Sequence, residues 1–129
     1  MTVLQRVLYV EDDPDISEIA ALALEAVGGL TLKGCESGHE ALAEVDSFAP
    51  DLILLDVMMP GMDGPETLEA LRRQGSVTSN TPVVFVTAKV HPEDLSRYQE
   101  MGVIDVISKP FDPMTLANEL RAIWERFHA

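Results

Sequence analysis

Apolar residues along the chain alternate between short continuous runs and stripes spaced three or four apart, and the alternation occurs five times. Continuous runs fit strands buried on both faces, and stripes fit helices with one face in a core. The alternation therefore predicts a parallel sheet with crossover helices. The first pair is Val7-Leu8-Tyr9-Val10, followed after Glu11-Asp12-Asp13-Pro14 by a stripe at Ile16, Ile19, Ala20, Ala23 and Val27 that Gly28-Gly29 stops. Proline near the start and glycine past the end bracket a helix. A weaker strand runs from Leu30 to Cys35, and Ser37 with Glu40 three residues on predicts a capped helix to about Phe48, with Pro50 ending the unit.

Asp51-Leu52-Ile53-Leu54-Leu55 is the most apolar strand and ends at Asp56, before the loop Val57-Met58-Met59-Pro60-Gly61-Met62-Asp63-Gly64. Pro65 opens a third helix to about Gln74, and Gly75 to Thr81 is a polar loop. Val83 to Val86 predicts a fourth strand ending at Thr87, and Pro92 to Met101 a short helix closed by Gly102. Val103 to Ser108 predicts a fifth strand ending at Lys109-Pro110. Asp112-Pro113 is expected to cap a last helix with its stripe at Leu116, Leu120, Ile123, Trp124 and Phe127. Right-handed crossovers put helices on both faces of such a sheet, and ligand sites in these folds lie beyond the C-terminal strand ends.

Length and charge narrow the classes. At 129 residues the chain fits one domain, long enough to bury about two-thirds of its unfolded surface without a disulfide or structural metal. No internal repeat, low-complexity tract or linker interrupts it. With 22 acidic against 9 basic residues, the net charge of −13 repels phosphate backbones and anionic lipid, which argues against nucleic-acid and membrane binding. A soluble, self-repelling surface is the plainer meaning of that charge. The single cysteine, Cys35, excludes an intramolecular disulfide and a thiolate zinc cluster, and no basic-then-apolar leader precedes the first strand. The expected location is the cytoplasm.

The chemistry lies in the residues at the strand ends: Glu11 and Asp12 after the first, Asp56 after the third, Thr87 after the fourth, Lys109 after the fifth. Converging carboxylates repel by about 4 kcal/mol per pair at ~4 Å and an effective dielectric of ~20, more than one lysine offsets. A hard divalent cation offsets it, and Mg²⁺ takes one or two carboxylates together with waters and phosphate oxygens. Asp56 is then a candidate nucleophile towards phosphorus, with Lys109 as a fixed positive charge, Thr87 as a hydroxyl donor and the small Ala88 leaving room for a phosphoryl group.

Four segments, Val7 to Pro14, Leu54 to Gly64, Val86-Thr87-Ala88 and Ser108-Lys109-Pro110-Phe111, resemble in order and separation the receiver domains of bacterial response regulators. The resemblance implies a doubly wound (βα)5 flavodoxin-like α/β sandwich of three layers with parallel strand order 2-1-3-4-5, and residues 1–129 as a single stand-alone receiver domain with no output domain. It implies a phosphoacceptor of a two-component phosphorelay and not an enzyme in the ordinary sense. Asp56 would be phosphorylated by a sensor histidine kinase or a histidine phosphotransfer protein, and the modification would switch binding to a downstream protein target, with neither nucleic acid nor membrane as partner. It further implies Mg²⁺ held by Asp12, Asp56 and the Met58 main-chain carbonyl, with Glu11 acting through water, Thr87 and Lys109 on the phosphoryl oxygens, and a cis Lys109-Pro110 peptide. The side chains of Met58 and Lys89 would flank the path of a hydrolytic water. One position departs: the family's switch aromatic, three residues before the lysine, is Val106 here, so rotation of an aromatic ring cannot be the output step.

Plainer readings suffice for several other residues. Asp13 and Asp63 fit helix caps or turns, and Asp51 a turn. His39, His91 and His128 are isolated, Cys35 fits a small buried residue, and Met58, Met59 and Met62 fit loop packing as well as a partner surface. Of the competing functions, a haloacid-dehalogenase-type phosphatase needs a second acid where Met58 stands. A receiver-like interaction module without phosphorylation has only Val106 in its favour. Walker-type nucleotide binding lacks its glycine-lysine run, and DNA binding lacks a basic face.

Overall fold

The computed structural model describes residues 3–88 and 90–128. Five strands, β1 (Arg6–Val10), β2 (Thr31–Cys35), β3 (Leu52–Asp56), β4 (Val83–Thr87) and β5 (Asp105–Ser108), form one parallel sheet in the order β2-β1-β3-β4-β5. Between and after them run α1 (Pro14–Ala21), α2 (Gly38–Phe48), α3 (Gly64–Arg73), α4 (Pro92–Glu100) and α5 (Leu116–Phe127). The architecture is the three-layer α/β sandwich with strand order 2-1-3-4-5 expected from the sequence.

Period-two side chains divide the sheet between two cores. Val7, Tyr9, Leu52, Leu54, Val84, Val86 and Ile107 face α1 and α5 and meet Ala20, Ala23, Leu24, Leu116, Leu120, Ile123 and Trp124. Leu8, Val10, Ile53, Leu55, Val83 and Phe85 face the other way, towards Ala41, Val45, Leu68, Leu71 and Tyr98. Every residue of β3 and β4 is buried, which is why these segments read as unbroken apolar runs.

The N-terminal end of the sheet is closed by polar clamps. Asp51 Oδ2 accepts from the amides of Gln5 (3.0 Å) and Arg6 (2.8 Å), and the Arg6 guanidinium donates to the Phe48 carbonyl (2.9 and 2.6 Å) while lying 4.2 Å over the Phe48 ring. At the other end, main-chain bonds carry the ladder one residue beyond three strands. Glu11 donates to Cys35 (2.9 Å), Val57 to Val86 (3.1 Å) and Lys109 to Thr87 (2.9 Å). These bonds fix the backbone at the positions where the sequence puts its charged and hydroxyl groups.

Two helices differ from expectation. Past Ala21 the first helix widens into a π-type segment, Leu22–Val27. Wider turns advance less per residue, so the apolar face rotates. Leu24 enters the core while Val27 is exposed; upstream, within the regular helix, Ile19 is exposed and Ile16 half-buried. Asp112-Pro113 does not cap α5. Asp112 Oδ1 instead accepts from the Met114 amide (2.8 Å) and its carbonyl from Thr115 and Leu116 (3.1 and 3.0 Å), a separate turn after which Thr115 is the N-cap. Phe127 ends that helix half-buried, whereas the other four stripe residues are core.

Candidate functional site

Asp13 caps α1 by accepting from the amides of Asp15 (2.9 Å) and Ile16 (3.4 Å), and Asp63 forms a reciprocal capping box with Glu66 at the start of α3. Both acids are thereby occupied by backbone donors. That leaves Glu11, Asp12 and Asp56 as the group that converges at the strand ends, each offering a carboxylate oxygen within 4.8 Å of the others. Glu11 and Asp56 are buried and Asp12 is exposed.

Lys109 Nζ reaches into this group, 2.7 Å from Glu11 Oε1 and 3.1 Å from Asp56 Oδ1. The Lys109-Pro110 peptide is cis, as the resemblance implied. Glu11 has further donors: the Tyr9 hydroxyl to Oε1 (2.9 Å) and the Asp13 amide to Oε2 (3.2 Å). The Met58 amide donates to Asp56 Oδ1 at 3.4 Å, tying the start of the following loop to the carboxylate, while the Met58 side chain is exposed. Thr87 is buried at the end of β4 and the exposed Ala88 follows it. Lys89 lies outside the described residues.

Burial, with the neighbouring Glu11, pushes the Asp56 carboxyl up to about 7 despite Lys109. Glu11 is also raised by burial, but hydrogen bonds from Lys109, Asp56 and Tyr9 outweigh this and hold it below the ordinary carboxylate value. The Lys109 ammonium, though partly desolvated, is held above its usual value by the same two acids. Burial and then the Glu11 charge push the Tyr9 phenol far upward, so it remains a donor. Two buried carboxylates sharing one lysine form a site short of positive charge. A hard cation fits the donor set: oxygens only, from the carboxylates of Glu11, Asp12 and Asp56.

Tyr9 was not singled out from the sequence. Its signal is a lone tyrosine in an aliphatic strand, two residues before a carboxylate and so on the same face of the sheet. The methionines separate: Met59 is buried, Met62 is half-buried with its sulfur beside Gly38, and Met58 is exposed. Cys35 is buried, its thiol pushed up to about 11 by desolvation. Val106 is half-buried and, with Leu95, Tyr98 and Val103, lines an open depression of about 560 Å³ between α4 and β5.

Residues 7–121 match the family model described as "Response regulator receiver domain". The chain is 38% identical over 121 residues to the DNA-binding response regulator MtrA of Mycolicibacterium smegmatis, covering 94% of this chain and 51% of that one. It is also 38% identical over 122 residues to the phosphate regulon transcriptional regulatory protein PhoB of Escherichia coli, covering 95% and 52%. The chain thus spans about half the length of these relatives. The chemotaxis protein CheY4 of Vibrio cholerae is similar in structure, with a TM-score of 0.84, 31% identity, and coverage of 93% of this chain and 98% of that one. A Francisella response regulator receiver domain gives a TM-score of 0.82 at 30% identity, with 95% and 98% covered.

Proposed function

The chain belongs to the response regulator receiver domain family, and from that premise we propose that it is a phosphoacceptor in two-component signalling, with Asp56 as the acceptor. The observation that carries this is the placement of Asp56. It is a buried carboxylate at the end of the central strand β3, 3.1 Å from Lys109 and within 4.8 Å of two further acids.

An Asp56 oxygen attacks phosphorus, and the O–P bond forms as the N–P bond of a phosphohistidine breaks, the departing imidazole taking up a proton. Lys109 donates to a phosphoryl oxygen, drawing on an ammonium the site already holds charged, and the Thr87 hydroxyl donates to another. Asp12, Asp56 and the Met58 carbonyl would hold Mg²⁺, with Glu11 acting through water, and the bound ion would supply the remaining positive charge. The domain catalyses its own phosphorylation and dephosphorylation and turns over no other substrate.

The partners follow from the same reading: a histidine kinase or histidine phosphotransfer protein as donor, and a protein target whose binding the modification alters. The acid excess weighs against nucleic acid touching the receiver domain itself, and no helix among the described residues is long and apolar enough to cross a membrane. We place this receiver domain in the cytoplasm. MtrA is named as DNA-binding and PhoB as a transcriptional regulatory protein, and each is about twice as long as the part this chain matches.

The test is intact-mass spectrometry after incubation with acetyl phosphate and Mg²⁺. One phosphoryl group on the wild type and none on Asp56→Asn is the expected result, and an undiminished adduct on Asp56→Asn overturns the assignment. Val106 favours one other reading, a module that binds partners without phosphorylation, and a wild type that takes no phosphoryl group selects it.

A further inference from the structure

Glu11 is the most heavily bonded side chain in the site, and its partners differ in kind. Lys109 is a mobile donor that phosphoryl transfer requires elsewhere. The Asp13 amide is fixed backbone on the other oxygen. Tyr9 is the third, with a ring only 2% exposed in the core beneath the site and a hydroxyl reaching the same Oε1 that Lys109 holds. A buried carboxylate that loses a donor is destabilised by the full desolvation of that oxygen. When Lys109 turns to a phosphoryl oxygen, the Tyr9 hydroxyl is the side-chain donor that stays with Glu11.

We infer that Tyr9 is a positioning residue of the phosphoryl-transfer site, its hydroxyl fixing the Glu11 carboxylate so that Glu11 keeps its orientation towards the metal position while Lys109 is released to the phosphoryl group. This rests on the phosphoacceptor reading above and goes beyond it, since Tyr9 touches neither the acceptor nor the phosphoryl group. Tyr9 is not merely a core residue, because a phenylalanine would fill the same volume. The hydroxyl is what distinguishes the two, and it donates to Glu11. Groups that orient a metal's ligands from behind typically change metal affinity 10–100-fold when removed.

The test is Mg²⁺ calorimetry, without any phosphoryl donor, on wild type, Tyr9→Phe, Glu11→Ala and the double variant, with thermal unfolding recorded for each. Tyr9→Phe is expected to weaken Mg²⁺ binding about tenfold in the wild-type background and less than about twofold in Glu11→Ala, which retains Asp12 and Asp56. A structural role would lower affinity equally in both backgrounds, and that result overturns the inference, as does an unchanged affinity in Tyr9→Phe. A wild type that binds no Mg²⁺ overturns the underlying reading and this inference together. A wild type that binds it while Tyr9→Phe matches it overturns this inference alone.

Discussion

Lys109 lies nearer to Glu11, at 2.7 Å, than to the acceptor Asp56, at 3.1 Å. The lysine proposed to neutralise an incoming phosphoryl group is therefore already paired, chiefly with an acid other than the proposed acceptor. Sharing it leaves the site net negative, a deficit that a divalent cation would offset and that an incoming, negatively charged phosphoryl group would deepen.

Removing Asp12 deletes the one exposed carboxylate of the cluster, the ligand a hydrated cation meets first. Mg²⁺ affinity of Asp12→Ala should fall at least about tenfold. Calorimetry is the suitable measurement, since Trp124 is buried on α5, in the core rather than at the site. Equal affinity in the two proteins contradicts a role for Asp12 as ligand.

Asp56 makes the metal-free protein sensitive to pH. Its carboxyl is raised from 3.8 to about 7 in the fold, so the folded state holds a proton that the unfolded chain releases. Stability therefore declines as pH rises from about 4 to about 7, and the penalty is fully present above that window. In EDTA, Asp56→Asn should be more stable than wild type at pH 8 by about 4 kcal/mol, with the difference closing near pH 4. Thermal unfolding across this range decides it. A gap independent of pH argues that the charge of Asp56 is not its source.

Met58 and Val106 should separate chemistry from output. Met58 cannot hydrogen-bond a hydrolytic water, and its amide is tied to Asp56, so Met58→Asn brings an amide side chain close to the phosphoryl group. The half-life of the aspartyl-phosphate should shorten several-fold. Val106→Tyr adds a ring to the lining of the depression between α4 and β5, which none of the three clustered acids lines. It should leave the half-life within about twofold while changing affinity for the protein target. A strong effect of Val106→Tyr on hydrolysis with none on binding reverses the assignment.

Gly64 has no room for a side chain. A Cβ there would stand 2.6 Å from the Asp56 carbonyl and 2.9 Å from the Val57 Cα, and both neighbours are backbone. Gly64→Ala should therefore destabilise the fold by about 1–3 kcal/mol and slow phosphorylation as well, because the displaced chain carries the acceptor. Urea unfolding of a variant indistinguishable from wild type would remove the steric argument.

The sheet and the acceptor cluster were legible in the chain because each depends on local pattern: apolar runs for the strands, and an acid, hydroxyl or lysine at each relevant strand end. What escaped depends on three-dimensional detail. Val27 and Leu24 exchange roles because the first helix widens, which periodicity cannot register. Asp112 looked like a cap because its side chain does bond a nearby amide, only within an earlier turn. The apolar run places Tyr9 in the strand core, where its ring lies, but carries no sign of where its hydroxyl goes. Lys109 was read as a charge for the phosphoryl group, while its resting partner Glu11 emerged only from the geometry.

The polar clamps at the opposite end of the sheet have a consequence for how such a protein diversifies. Arg6, Phe48 and Asp51 fasten the frame about a strand length away from the acids, through contacts that share no atom with them. Substitutions at exposed rim positions such as Met58, unlike those at the buried Gly64, therefore leave these clamps untouched. Signal identity and structural integrity can drift independently in this chain, so related circuits can be kept from cross-talking by changing only the rim.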